Sequence, residues 1–196
     1  MRNRETKLIS MVIAALLCAI GIVIPVFAPK IVIGPASFTL ASHVPIFIAM
    51  FISPPLAIIV CLGTTLGFFF SGLPLVVTLR ALTHVIFASA GALVLKKKPD
   101  LLSTAAGTIG FGFLTALVHE ACEVFVVTYF FFGGQMTKEY YSNGYVLSVL
   151  LLVGLGGVVH SMIDYAISIA VWKPVSQIMS IPVSVKTVLK REAAVK

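Results

Sequence analysis

Long apolar stretches alternate along the chain with short clusters of proline, glycine and charge. A helix needs about 20 apolar residues, at ~1.5 Å rise each, to cross a hydrocarbon core. Six stretches approach that length, near 8–28, 37–53, 55–72, 74–95, 101–132 and 145–172. They are separated by PVFAPKIVIGPAS, SPP, SGLP, KKKPD and FFGGQMTKEYYSNG, where proline, glycine and charge break the pattern. The second and third are short, and Ser53-Pro54-Pro55 leaves almost no loop, so they read as tilted crossings or as a re-entrant pair. The pattern predicts an all-α integral membrane protein: residues 1–196 as a single domain, a bundle of six transmembrane helices, with no soluble domain and no internal repeat.

Composition agrees with that reading. With 59% hydrophobic and 11% charged residues and a mean hydropathy of +1.10, too little polar surface remains to coat a soluble globule of 196 residues. The net charge of +7 does not point to nucleic acid, because the basic residues gather at the ends of apolar runs. Arg2, Arg4, Lys7, Lys96, Lys97, Lys98, Lys173, Lys186, Lys190, Arg191 and Lys196 fall on one side of the predicted membrane, against Lys30 and Lys138 on the other. By the positive-inside rule both termini are cytoplasmic. The N-terminal MRNRETKLISMVIAALLCAIGIVIPVFA has the basic start of a signal peptide, but its apolar run exceeds the usual ~7–15 residues and no A-x-A site follows, so it reads as the first spanning helix. The tail KPVSQIMSIPVSVKTVLKREAAVK reads as a solvated or headgroup-bound end rather than an interfacial helix. Cys18, Cys61 and Cys122 make no CxxC pair and are odd in number, which argues against a disulfide framework.

Polar residues inside the apolar stretches change the picture. Arg80 and His84, His119 and Glu123, and His160 and Asp164 are each four apart, which puts each pair on one helix face. Glu120 stands beside the second pair. A charged side chain at a helix centre costs roughly 2.5–3.5 kcal/mol on insertion scales, so these groups face a shared interior. Either they pair with one another to fix helix packing, or they mark a substrate or ion path. HEACE is also half of a zincin HExxH with Glu123 in place of the second histidine; zinc on His119, Glu123 and His160, with Glu120 as base, would make an intramembrane metalloenzyme. The missing histidine argues against it, and no metal or cofactor is expected. There is no GxSxG and no GxxxxGK[ST], so neither a serine nucleophile nor a P-loop is present, and energy for transport must come from partners or an ion gradient.

Two features lie at the edges. Ala15 and Ala19 form a small-xxx-small pair that lets another helix approach, or that packs within the bundle. In APKIVIGPASFTLASHVPIF, Pro29, Gly34 and Pro35 interrupt the apolar run, giving either a plain connection or a loop dipping over an outward-facing pocket with Lys30, Ser37, Thr39 and His43 as polar contacts.

Six spans in so short a chain, ALLCA in the first helix, the Pro/Gly-broken first external loop and LRALTHVIFASAGALVLKKK running into a basic turn resemble the S components of energy-coupling factor transporters of the bacterial cell membrane. VIGPASFTLASHVPIFIAMFISP is similar to the niacin-type members. The resemblance implies high-affinity binding of one vitamin under the first loop and among the fourth to sixth helices. It also implies a membrane coupling subunit and two cytoplasmic ATPases as partners, with Ala15 and Ala19 contacting the coupling subunit. Arg80 would suit a carboxylate, as in niacin or pantothenate. Tyr129, Tyr140, Tyr141 and Tyr145 would stack on a pyridine ring or form an interfacial aromatic belt. The expected contacts are Arg80, His84, His119, Glu120, Glu123, His160, Asp164, Tyr145 and His43. A stand-alone ion-coupled carrier is the remaining alternative.

Overall fold

A computed structural model describes residues 2–33, 36–178 and 182–185. Most of the basic tail, and the Gly34-Pro35 turn, lie outside the described residues.

Helix α1 (Arg2–Phe27) carries Glu5 in its first turn and stops short of Pro29, as the backbone preference of residues before proline favours. Strands β1 (Lys30–Ile33) and β2 (Ala36–Thr39) follow as an antiparallel hairpin pairing Lys30 with Thr39 and Ile33 with Ala36. The expected second span over 37–53 is thereby corrected. Its first residues are a strand, and only α2 (Val44–Ile52) is helical, at nine residues about 14 Å long, too short to cross a bilayer. The purely α-helical class needs the same amendment.

Ser53 ends α2 in extended backbone and caps α3 (Pro54–Phe70), its hydroxyl accepting from the Leu56 amide at 3.4 Å. Pro54 and Pro55 occupy the first turn of α3, where a missing N–H leaves no bond unmade. Helix α4 (Leu75–Lys97) ends on Lys96 and Lys97, favourable against its C-terminal dipole. A single 3₁₀ turn, Leu101–Ser103, leads into α5 (Ala105–Phe132), capped by the Thr104 hydroxyl. The last helical stretch is not one regular span. Helix α6 (Lys138–Tyr145) breaks at Gly144, whose φ of 75° and ψ of 166° suit glycine alone; a π-helical stretch, Val146–Leu155, then runs into α7 (Gly156–Ile178).

Four of these segments are long and apolar enough to span a membrane: Arg4–Phe27, Leu75–Lys97, Ala105–Phe132 and Lys138–Ile178. Their outer faces expose Leu16, Ile86, Phe125 and Phe132, side chains suited to lipid contact. Helix α1 lies at the periphery, with only 11% of its apolar window buried, and meets α3 where Cys18 and Ile22 sit over Gly63 and Gly67. In hydrocarbon, such close backbone approach supplies the attraction that water would otherwise provide. One apolar cluster joins α2, α3, α4 and α7, and at its far end Phe51 stacks on Trp172 while the amides of Ser184 and Val185 donate to the carbonyls of Ile52 and Phe51. Toward the hairpin, the tilted rings of Phe47 and Phe87, 5.7 Å apart, form the floor beneath a polar chamber.

Candidate functional site

The chamber is a cavity of about 270 Å³ lined from the hairpin (Lys30, Ser37, Phe38, Thr39), the turn before α2 (Ser42, His43), α3 (Thr64, Phe68), α4 (Arg80, His84), α5 (Glu120, Glu123) and α7 (Gly157, His160). That is near the lower end of the ~300–1,000 Å³ common for small-molecule pockets, a size suited to a single-ring ligand.

Glu123 is its hub. Its Oε2 accepts from Arg80 Nε at 2.9 Å and from Arg80 Nη2, and its Oε1 lies 3.1 Å from His84 Nε2. His119 Nε2 is 3.4 Å from the same Oε1 without forming a hydrogen bond, while His119 Nδ1 faces Ser161 Oγ at 3.2 Å and Glu120 Oε1 at 3.3 Å. The i,i+4 spacing of His119 and Glu123 puts both on the inner face of α5, and Glu120 falls one turn back beside Gly157 of α7. A Cβ at Gly157 would overlap the Glu120 carboxylate, so the glycine makes room for that acid.

Asp164 is a second hub. Its Oδ1 accepts the Ala41 amide at 2.7 Å, and its Oδ2 accepts the His43 amide at 2.9 Å, His43 Nδ1 at 3.0 Å and Ser42 Oγ at 3.3 Å. A carboxylate so placed satisfies donors at the start of α2 and complements its dipole. It also holds Ala41 at φ 66°, a left-handed conformation that alanine seldom adopts. His160 Nε2, 3.2 Å from Ser42 Oγ, completes this group.

The chain has four histidines, and all four meet here. The His43 ring lies 5.0, 4.7 and 5.2 Å from those of His84, His119 and His160, and His84 and His119 are 4.7 Å apart. Glu120, Glu123 and Asp164 are almost wholly buried, and Arg80 is the cation set among them. One ligand atom from each of His43, His84, His119 and Glu123 falls within 4.8 Å of the others, and His43, His160 and Asp164 form a second such group. The ligand set weighed from HEACE is thus divided, His160 standing with Asp164 and not with His119.

Of the expected contacts, Arg80, His84, Glu120, Glu123, His160 and His43 line the cavity; Asp164 accepts from His43, and His119 lies within 3.4 Å of Glu123 without lining the cavity. Tyr145 is elsewhere, its hydroxyl on Thr128 and its ring on Phe131 and Phe132. Tyr129 is exposed, Tyr141 bonds the Phe131 carbonyl, and Tyr140 is buried with Val127 and Val149. Ser42, Ser161 and Gly157 were not singled out from the sequence, where small residues in apolar helices carry no distinguishing signal. Ala15 and Ala19 lie exposed on α1.

Neither a family model nor a solved structure matches the chain. It is 41% identical over 183 residues to the niacin transporter NiaX of Lactococcus lactis subsp. cremoris (strain MG1363), an alignment covering 93% of this chain and 81% of that protein. With such identity over nearly its whole length, and with membrane-capable helices enclosing a small polar chamber, the chain belongs to the family of NiaX, the niacin-type S components of energy-coupling factor transporters.

Proposed function

We propose that the chain binds niacin in the cavity beneath the hairpin and carries it inward as the substrate-specific subunit of an ATP-driven importer. The observation that carries this is Arg80, a guanidinium inside a single-ring-sized cavity, in a chain 41% identical to a niacin transporter. A fixed cation in a site of low dielectric favours an anion, and its planar fork suits a carboxylate. Phe38, Phe68 and the imidazoles offer faces and edges to a pyridine ring. Glu123 pairs with Arg80, so sharing or releasing that guanidinium is the local change that binding of a carboxylate requires.

The energy source follows from what the chain lacks. Without a P-loop it needs a motor, in this family a membrane coupling subunit with two cytoplasmic ATPases, and the exposed Ala15 and Ala19 offer a surface on which a partner helix approaches closely. The reading is one of binding and transport, not catalysis, with the N- and C-termini on the cytoplasmic side and the hairpin facing out.

Mass spectrometry of small molecules retained by the purified protein tests the substrate, followed by calorimetry with niacin, nicotinamide and pantothenate. Niacin should be retained and should bind at least tenfold more tightly than nicotinamide, which has the same ring without the charge. Retention of pantothenate, or equal affinity for acid and amide, would overturn the assignment.

A further inference from the structure

Ring nitrogens of His43, His84 and His119 and a carboxylate oxygen of Glu123 lie within 4.8 Å of one another. Asp164 Oδ2 accepts from both the amide and Nδ1 of His43, so His43 Nδ1 carries the ring proton and Nε2 the lone pair. His119 Nδ1 faces Ser161 Oγ at 3.2 Å and Glu120 Oε1 at 3.3 Å, oxygens to which a proton on Nδ1 would be directed. His119 Nε2 is left buried with no hydrogen-bond partner, 3.4 Å from Glu123 Oε1. With the ring proton on Nδ1, the Nε2 lone pair faces a carboxylate oxygen in a dry site, a repulsive contact that a cation between the two atoms relieves.

The spacing fits a metal ion. Two ligand atoms each ~2.0–2.1 Å from a tetrahedral zinc stand roughly 3.4 Å apart; Glu123 Oε1 stands 3.1 Å from His84 Nε2 and 3.4 Å from His119 Nε2, with a His43 nitrogen in the same group. The outer supports match as well. In metal sites the second nitrogen of a ligating histidine is normally held by a carboxylate or other polar group, as Asp164 holds His43 and Ser161 faces His119, while Arg80 fixes the other oxygen of Glu123; His84 Nδ1 alone of the three has no such partner. The carboxylates of Glu123 and Asp164 outnumber the guanidinium of Arg80, and Lys30 at the rim is exposed, so the buried charge favours a cation.

We propose that His43, His84, His119 and Glu123 bind one divalent transition-metal ion of the zinc class. Imidazole nitrogen with a single carboxylate suits zinc or cobalt rather than calcium or magnesium, which take oxygen ligands. Four protein ligands make a closed set, the mark of a structural ion and not of a hydrolytic one. The site stands independently of the vitamin assignment, since the metal can be measured without vitamin and the vitamin without metal.

The test uses the full chain in detergent, free of any histidine tag and stripped with EDTA, titrated with Co²⁺. One equivalent should bind, giving the visible absorption of four-coordinate cobalt, and Zn²⁺ should displace it. Asp164→Asn should weaken binding about 10- to 100-fold, the usual effect of losing an outer support, and His84→Ala and His119→Ala should abolish the spectrum. His119→Gln replaces the alanine variant if the latter is not monodisperse. A monodisperse wild type that takes up no Co²⁺ or Zn²⁺, or variants that bind as the wild type does, would overturn the site. Niacin binding by EDTA-treated protein, measured alongside, keeps a failure here separate from a failure of the vitamin assignment.

Discussion

At Arg80 two demands fall on one guanidinium: it neutralises Glu123 in the described structure, and on the proposed function it must also meet a carboxylate. Arg80→Gln should lower niacin affinity by about 2–5 kcal/mol, the scale for truncating one partner of a buried charged pair. It should also destabilise the fold by roughly 3–5 kcal/mol, because Glu123 is left uncompensated. The double variant Arg80→Gln/Glu123→Gln removes both charges and should regain most of the stability without regaining affinity. Calorimetry beside thermal unfolding separates the two effects, and a double variant that binds niacin normally would confine Arg80 to structure. Gly157→Ala probes the neighbouring acid. The added methyl displaces the carboxylate end of a buried side chain, so the fold should lose about 1–3 kcal/mol; an affinity change beyond threefold would implicate Glu120 in binding, and none would remove it. These polar residues were legible in the sequence because charge in an apolar run is conspicuous and a spacing of four fixes the face. Ser161 and Gly157 were not, since their importance lies in what another helix places against them.

Among the elements, α3, α4 and α5 follow the apolar pattern closely, whereas α6 forms within the stretch expected to break the helices and KIVI and ASFT form a hairpin that the pattern merges into a loop and a second span. The signal was present as β-branched residues flanking Gly-Pro, but four-residue strands are too short for an alternation to stand out. The π-helical stretch Val146–Leu155 had no signal at all, because a run of apolar residues looks the same at any helical period. On α1 the division of faces is clear: Cys18 and Ile22 pack on α3, while Ala15 and Ala19 remain exposed. Ala15→Trp or Ala19→Trp therefore adds volume only on the outside. Either should leave niacin affinity of the solitary chain within about threefold and abolish co-purification with the coupling subunit, and with it uptake. Normal assembly and transport in both variants would show that this face meets lipid alone.

For the whole molecule, the cavity under the hairpin and the contacts of Trp172 with Phe51 lie toward opposite ends of the helices, and the positive-inside rule predicts the latter end inside the cell. Single cysteines at Lys97 and Gln135, in a background with Cys18, Cys61 and Cys122 replaced, should react with an impermeant thiol reagent from opposite sides of the membrane. Labelling of both from outside would reverse the map and move the cavity with it. The convergence of His43, His84, His119 and His160 from four separate regions has a further use. In a tag-free sample isotopically labelled only at histidine, each imidazole resonance would arise from the cavity and none from elsewhere in the protein. Magnetic resonance would then read the ring tautomers and their response to niacin or a cation directly, without the crowding that normally hides a site in a membrane protein's spectrum.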